Sequence, residues 1–185
     1  MRIIAGKYRA RKLIAPEGKN TRPTSDRARE AVFNVLEARW RKQGTNWNKL
    51  SILDVFAGTG ALGLEALSRG AVSLTAAEND PAATACFWKN ADAFVKDGVP
   101  VRLFPDALIP PQTERAVNLL FMDPPYAKGL VAPALEALLK TGWIDKETVC
   151  VIETEKGEKD VLPAGFEISD TRVYGKAAVL FVKLK

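Results

Sequence analysis

Ser51-Ile52-Leu53-Asp54-Val55-Phe56-Ala57-Gly58-Thr59-Gly60-Ala61-Leu62-Gly63 decides the fold. A short apolar run passes into a glycine-rich turn of the form G-x-G-x-x-G and then into a helical pattern, the strand-turn-helix step of a parallel α/β sheet. The alternation continues downstream: strands are predicted over 51–56, 73–77, 99–104, 117–122 and 148–152, with helices over 61–68, 81–96 and 130–140. Pro133 is expected to delay the start of the last helix. Two further apolar runs, 166–173 and 177–183, are separated only by Tyr174-Gly175-Lys176, too short for a crossover, so they should pair antiparallel. Five parallel strands followed by such a pair form a mixed α/β sheet rather than a six-strand parallel one.

Upstream of the quoted stretch, residues 2–14 alternate loosely around Gly6-Lys7 and read as two short strands of a hairpin, followed by a loop from Pro16 to Pro23. Thr24 or Ser25 can cap a helix from Asp26 to Arg41, whose apolar positions Ala28, Ala31, Val32, Val35, Leu36 and Trp40 recur at helical spacing. With 185 residues, 47% of them hydrophobic, a single domain is expected: an arm over 1–23, a helix over 24–41 and a core over 50–185.

Composition narrows the chemistry. There is no histidine, which removes Ser-His and Cys-His nucleophiles, histidine-bound zinc and any imidazole base. Cys86 and Cys150 lie far apart within apolar patterns and read as core residues, and no metal site is expected. The N-terminal residues lack the apolar run of a signal peptide and no uncharged stretch approaches membrane-spanning length, so a soluble, cytoplasmic protein without a membrane partner is expected. Charge is unevenly placed: residues 1–29 hold nine Lys/Arg against Glu17 and Asp26, while the rest holds 18 basic and 20 acidic residues. A basic arm on a near-neutral body is the pattern of a polyanion binder.

The glycine turn alone suits NAD as well as S-adenosyl-L-methionine, and Glu78 at the end of the second strand can accept from ribose hydroxyls in either case. Two acids favour the latter. Asp54 sits near the carboxyl end of the first strand, where a carboxylate would repel a pyrophosphate but can meet the amino-acid end beside a sulfonium. Asp106, after the third strand, is placed to accept from an adenine amino group, or else to cap a helix.

Asp123-Pro124-Pro125-Tyr126, at the carboxyl end of the fourth strand, discriminates further. An exocyclic base amine is a poor nucleophile because its lone pair is conjugated into the ring. Acceptors on its hydrogens help the nitrogen become tetrahedral; Asp123 supplies a carboxylate and Pro124 a carbonyl, while the two prolines remove competing N–H donors. Tyr126 offers a face on which an extruded base can stack. Trp40, Trp47, Trp88 and Trp143 read as packing residues.

Gly6-x-x-x-x-Arg11-Lys12-Leu13, the runs Thr21-Arg22-Pro23-Thr24-Ser25-Asp26-Arg27-Ala28-Arg29-Glu30 and Phe56-Ala57-Gly58-Thr59-Gly60-Ala61-Leu62-Gly63, and the Asp-Pro-Pro-Tyr motif together resemble the bacterial 16S rRNA guanine-N2 methyltransferases of the RsmD family. The resemblance implies a class I methyltransferase (Rossmann-like) fold with a seven-stranded mixed sheet. It implies methylation of a guanine 2-amino group in 16S rRNA, within small ribosomal subunit particles, by a monomer. It also implies S-adenosyl-L-methionine contacts from Asp54, Phe56, Gly58, Thr59, Gly60, Glu78 and Asp106, base binding by Asp123 to Tyr126, and RNA contacts from Arg9, Arg11, Lys12 and Arg22. Asn118 departs from the family pattern, where an acid is common. The rival readings are a DNA or RNA adenine-N6 methyltransferase, the DNA enzymes usually carrying an extra target-recognition domain, an NAD-dependent oxidoreductase, for which the acid-base set is missing here, and a non-catalytic RNA-binding module driven by the basic arm.

Overall fold

The computed structural model describes residues 1–16, 26–126, 128–158 and 161–185. Its elements are α1 (Asp26–Lys42), a 3-10 turn (Trp47–Lys49), β1 (Ser51–Val55), α2 (Ala61–Ser68), β2 (Ser73–Ala77), α3 (Pro81–Lys96), β3 (Val101–Phe104), β4 (Leu119–Met122), α4 (Val131–Lys140), β5 (Val149–Glu155), β6 (Phe166–Tyr174) and β7 (Ala177–Leu184). They build one seven-stranded sheet in the order β3-β2-β1-β4-β5-β7-β6. β3, β2, β1, β4 and β5 pair in parallel, and β7 lies antiparallel between β5 and β6. The chain order reverses between β1 and β4, so the loops leaving their carboxyl ends part and leave a crevice, the usual ligand position in open α/β sheets.

Alternate residues of β1 face opposite sides. Ile52 joins a core with Phe33 and Leu36 of α1, Leu64 of α2 and Phe87 of α3, while Leu53 and Val55 join a second core with Leu135 and Leu138 of α4. Both faces are therefore covered, which is why β1 reads as a continuous apolar run. Fully buried Phe33, Phe87 and Phe121 each contribute roughly 2 kcal/mol through apolar burial. Cys86 and Cys150 are buried and unbridged, as read from the sequence. Trp40, Trp47 and Trp143 are buried in packing positions, whereas Trp88 is part-exposed on α3.

β4 begins at Leu119 instead of 117 and several other ends move by one residue; three further departures from the sequence expectation each have a local reason. The N-terminal hairpin is reduced to one antiparallel bridge, Arg2 to Lys12. Ile3 and Ala10 N–H still bond across the turn, to Arg11 O and Ile3 O at 2.9 Å, but other amides turn to α2: Ile4 and Ala5 N–H donate to Glu65 at 2.7 and 3.1 Å, and Tyr8 N–H donates to Ser68 Oγ at 3.0 Å. β3 begins at Val101 instead of 99 because Val99 N–H closes the end of α3 on Phe94 O at 3.0 Å and Pro100 has no N–H to offer. β5 runs three residues beyond the expected 152, because β7 continues to pair with it from Cys150↔Val182 to Glu155↔Ala177 after β4 has ended. The expected loop 16–23 and the Thr24 or Ser25 cap fall outside the described residues, Pro16 excepted. Among those described, no helix is long and apolar enough to cross a membrane.

Candidate active site

Val55 at the end of β1 pairs with Met122 at the end of β4, so the glycine turn and the Asp-Pro-Pro-Tyr loop leave the sheet side by side. Phe56 follows β1 with φ 60° and Gly58 and Gly60 have φ 55° and 84°. A left-handed phenylalanine is a strained conformation, of a kind that collects at ligand sites. The glycines serve different ends. A Cβ on Gly60 would lie 2.7 Å from the Phe87 ring, and one on Gly63 would lie 3.0 Å from Asp54 Oδ2, so these two permit close packing. A Cβ on Gly58 would meet nothing within 4 Å; here bare backbone faces the open crevice.

Glu78 ties the turn to the next strand. Its carboxylate accepts from Gly58 N–H at 2.8 Å and Asp80 N–H at 2.7 Å, which fixes the acid at the rim while leaving acceptor positions on both oxygens. Beneath the turn, Asp54 is 2% exposed and accepts from Gly63 N–H at 2.8 Å. Burial raises its carboxyl from 3.8 to about 8; the Gly63 bond opposes the rise, and the Asp123 and Glu78 charges add to it. Burial thus favours the neutral carboxyl, and an arriving positive charge would favour its ionised form.

On the β4 side, Asp123 is half-buried, Pro124 buried, Pro125 exposed and Tyr126 half-buried. Burial, and then the charge of Glu153, hold the Asp123 carboxyl well above the usual carboxylate range. Tyr126 donates its hydroxyl proton to Glu153 Oε1 at 2.6 Å, which locks the ring's orientation. Glu153 did not emerge from the sequence because the strand was expected to end at Ile152. The signal was present in Cys150-Val151-Ile152-Glu153-Thr154-Glu155, an apolar run closing on an acid at the carboxyl edge of the sheet.

Asp54, Phe56, Gly58, Thr59, Glu78, Asp123 and Pro125 line a single cavity of about 540 Å³, within the size range of small-ligand sites. Gly60 lies in the same turn but faces Phe87. Asp106 stands two residues beyond β3 and is not among the lining residues; its carboxylate accepts from Leu108 N–H at 2.8 Å, closing a turn rather than capping a helix. Asn118 sits at the opposite, amino end of β4, where its side chain accepts from Ser51 N–H at 2.9 Å and pins β1 to β4.

The cavity has a wall that the sequence did not reveal. Met1, Pro16 and Arg29 line it from the N-terminal segment, and Lys128 from the loop after β4. Arg29, 1% exposed, holds Asp26 at 3.0 Å and the carbonyl of Arg2, so α1 and the arm are fastened together. Asn90 of α3 does the same for the glycine turn: it exchanges bonds with Ile14 at 2.8 and 3.0 Å and donates to Thr59 O at 3.0 Å. Gly6 is obligatory for this docking, since a Cβ there would fall 1.8 Å from Ser68 O. Arg9, Arg11 and Lys12 project from the docked arm, exposed and outside any ion pair among the described residues; Arg22 lies outside those residues. No cluster able to hold a metal occurs among the described residues.

A seven-stranded sheet with one reversed strand, and a cleft joining an acid-floored glycine turn to an acceptor loop, define a class I methyltransferase. The chain is 35% identical to ribosomal RNA small subunit methyltransferase D of Escherichia coli, over 96% of this chain and 87% of that protein. It is 31% identical to the Haemophilus influenzae protein of the same name, over 95% and 89%. A solved structure described as the putative methyltransferase yhhF from Escherichia coli superposes with a TM-score of 0.81 at 34% identity, covering 100% of this chain and 98% of that one. The family described as conserved hypothetical protein 95 matches residues 1–183: the chain belongs to that family, the RsmD methyltransferases.

Proposed function

We propose that this methyltransferase transfers the methyl group of S-adenosyl-L-methionine to the exocyclic 2-amino group of a guanine in 16S rRNA, the target base being flipped against Asp123 to Tyr126. The observation that carries the reading is that the glycine turn with its acids and the acceptor loop open on one cavity. A cofactor and an acceptor base can therefore meet there.

The residues fit the cofactor. Gly58 gives a bare backbone surface on the open cavity, Glu78 stands fixed for ribose hydroxyls, and Asp54 lies where a positive sulfonium or ammonium would favour its ionised form. Phe56, Thr59 and Gly60 shape the same turn, and Asp106 is assigned the adenine amine. When bound, S-adenosyl-L-methionine supplies an electrophilic methyl group. A pyrophosphate would face the Asp54 carboxyl, which counts against NAD.

Asp123 and the Pro124 carbonyl accept from the target amine, and Tyr126, its hydroxyl held by Glu153, stacks on the base. The stacking contributes about 1 to 3 kcal/mol and each acceptor bond to a carboxylate roughly 1.5 to 3 kcal/mol. Correct placement of the two reactants can supply about 7 to 11 kcal/mol, so positioning carries the rate. With its raised carboxyl, Asp123 then collects the proton the amine must lose. The exposed Arg9, Arg11 and Lys12, together with Arg22, grip the RNA backbone. The relatives named as ribosomal RNA small subunit methyltransferases support small-subunit rRNA as the substrate; presentation in assembling particles, to a monomeric enzyme, is part of the same proposal. Titration calorimetry tests the cofactor assignment: binding of S-adenosyl-L-methionine but not NAD is expected, and binding of NAD alone would overturn it.

A further inference from the structure

Resting on the guanine reading above, we infer that Glu153 selects the target base by accepting the ring N1–H of guanine beside the amine held by Asp123. β4 and β5 are parallel and in register to Met122↔Ile152, so Asp123 and Glu153 occupy the next pair of positions, on strands about 4.8 Å apart. Glu153 is 9% exposed and Asp123 half-buried, and the charge of Glu153 is felt at Asp123. Tyr126, the stacking residue, is anchored on Glu153 at 2.6 Å. A carboxylate offers about four acceptor positions, so it can take the base as well as its present partners.

This arrangement suits one base edge. Guanine presents N1–H directly beside its 2-amino group, two donors in a row for two acceptors in a row. Adenine presents a bare N1 lone pair beside its 6-amino group, and that lone pair would face the Glu153 carboxylate. A site built to accept a donor discriminates strongly against an analogue lacking it, because its buried acceptor is left unpaired.

The test uses the full chain and small-subunit RNA carrying either guanine or 2-aminopurine at the methylated position, the latter keeping the 2-amino group but having no hydrogen on N1. Single-turnover rates are compared for the wild type, Glu153→Gln and Glu153→Asp, so that the missing O6 of 2-aminopurine cancels between enzymes. The wild type should favour guanine by about 10- to 100-fold, the loss expected for one acceptor bond to a charged group. Glu153→Gln, whose amide can donate to a bare N1, should bring the ratio to about one or below; Glu153→Asp, with the charge drawn back by one methylene, should fall between. A ratio unchanged in Glu153→Gln overturns the inference even if both rates drop, and if that variant does not fold, an unchanged ratio in Glu153→Asp does so. Wild-type enzyme that makes no N2-methylguanosine would remove the underlying functional reading, whereas a product with an insensitive ratio removes only the role of Glu153.

Discussion

Asp54→Asn should make the unliganded protein more stable at alkaline pH and less able to bind its cofactor. The substitution keeps an oxygen to accept from Gly63 N–H but removes a charge from a nearly solvent-free position. The folded protein holds this proton up to about 8 while the unfolded chain releases it near 3.9. Between those values the folded state binds more protons, so wild-type stability falls as pH rises through the window. From pH 5 to 8.5 the variant's advantage should grow by on the order of 3 to 4 kcal/mol, which for a chain of this size is roughly 10 °C in melting temperature. Paired thermal melts of the two proteins across that range measure it. Calorimetry in buffers of different ionisation enthalpy supplies the second half: binding of S-adenosyl-L-methionine by the wild type near pH 7 should release a proton that Asp54→Asn does not. Parallel melting curves, with the same proton release from both proteins, would refute the account of Asp54.

Asp123→Ala should abolish methyl transfer while leaving cofactor affinity nearly intact, measured by product formation and calorimetry together; a loss confined to cofactor binding would contradict the acceptor role. Gly60→Ala places a Cβ 2.7 Å from the Phe87 ring at φ 84° and should lower the melting temperature by several degrees, for a cost of about 1 to 3 kcal/mol. Gly58→Ala, facing open space, should weaken cofactor binding by more than it lowers stability. Neutralising Arg9, Arg11 and Lys12 together should reduce the slope of RNA affinity against salt by about 0.7 for each phosphate no longer neutralised, and an unchanged slope would make the arm a mere solubilising surface.

Much of this fold was legible because its signals are local. α2, β2 and α3 fall on the expected residues, since each is a periodic run bounded by glycine or proline. Strand order was not legible: the insertion of β7 between β5 and β6 depends on pairing across the sheet, which no spacing in the chain reveals. The same cause hid Glu153, because β5 is prolonged by β7 rather than by its own sequence. Asp54, Glu78 and Asp123 could be picked out as acids at strand ends. By contrast, the wall formed by Met1, Pro16 and Arg29 arises from the arm folding back through Glu65, Ser68 and Asn90. Those three polar residues on α2 and α3 carry no mark in the sequence that they bind the N-terminal backbone. The arm's charge predicted a partner, whereas its docking onto the glycine turn through Asn90 and Thr59 appeared only in three dimensions.

The central claim is tested most directly by incubating the purified protein with S-adenosyl-L-methionine and small ribosomal subunits from cells lacking its gene, then identifying methylated nucleosides by mass spectrometry after complete digestion. The account predicts one N2-methylguanosine per 16S rRNA, absent with Asp123→Ala. N6-methyladenosine in its place, or no methylated nucleoside from protein that binds the cofactor, would contradict it.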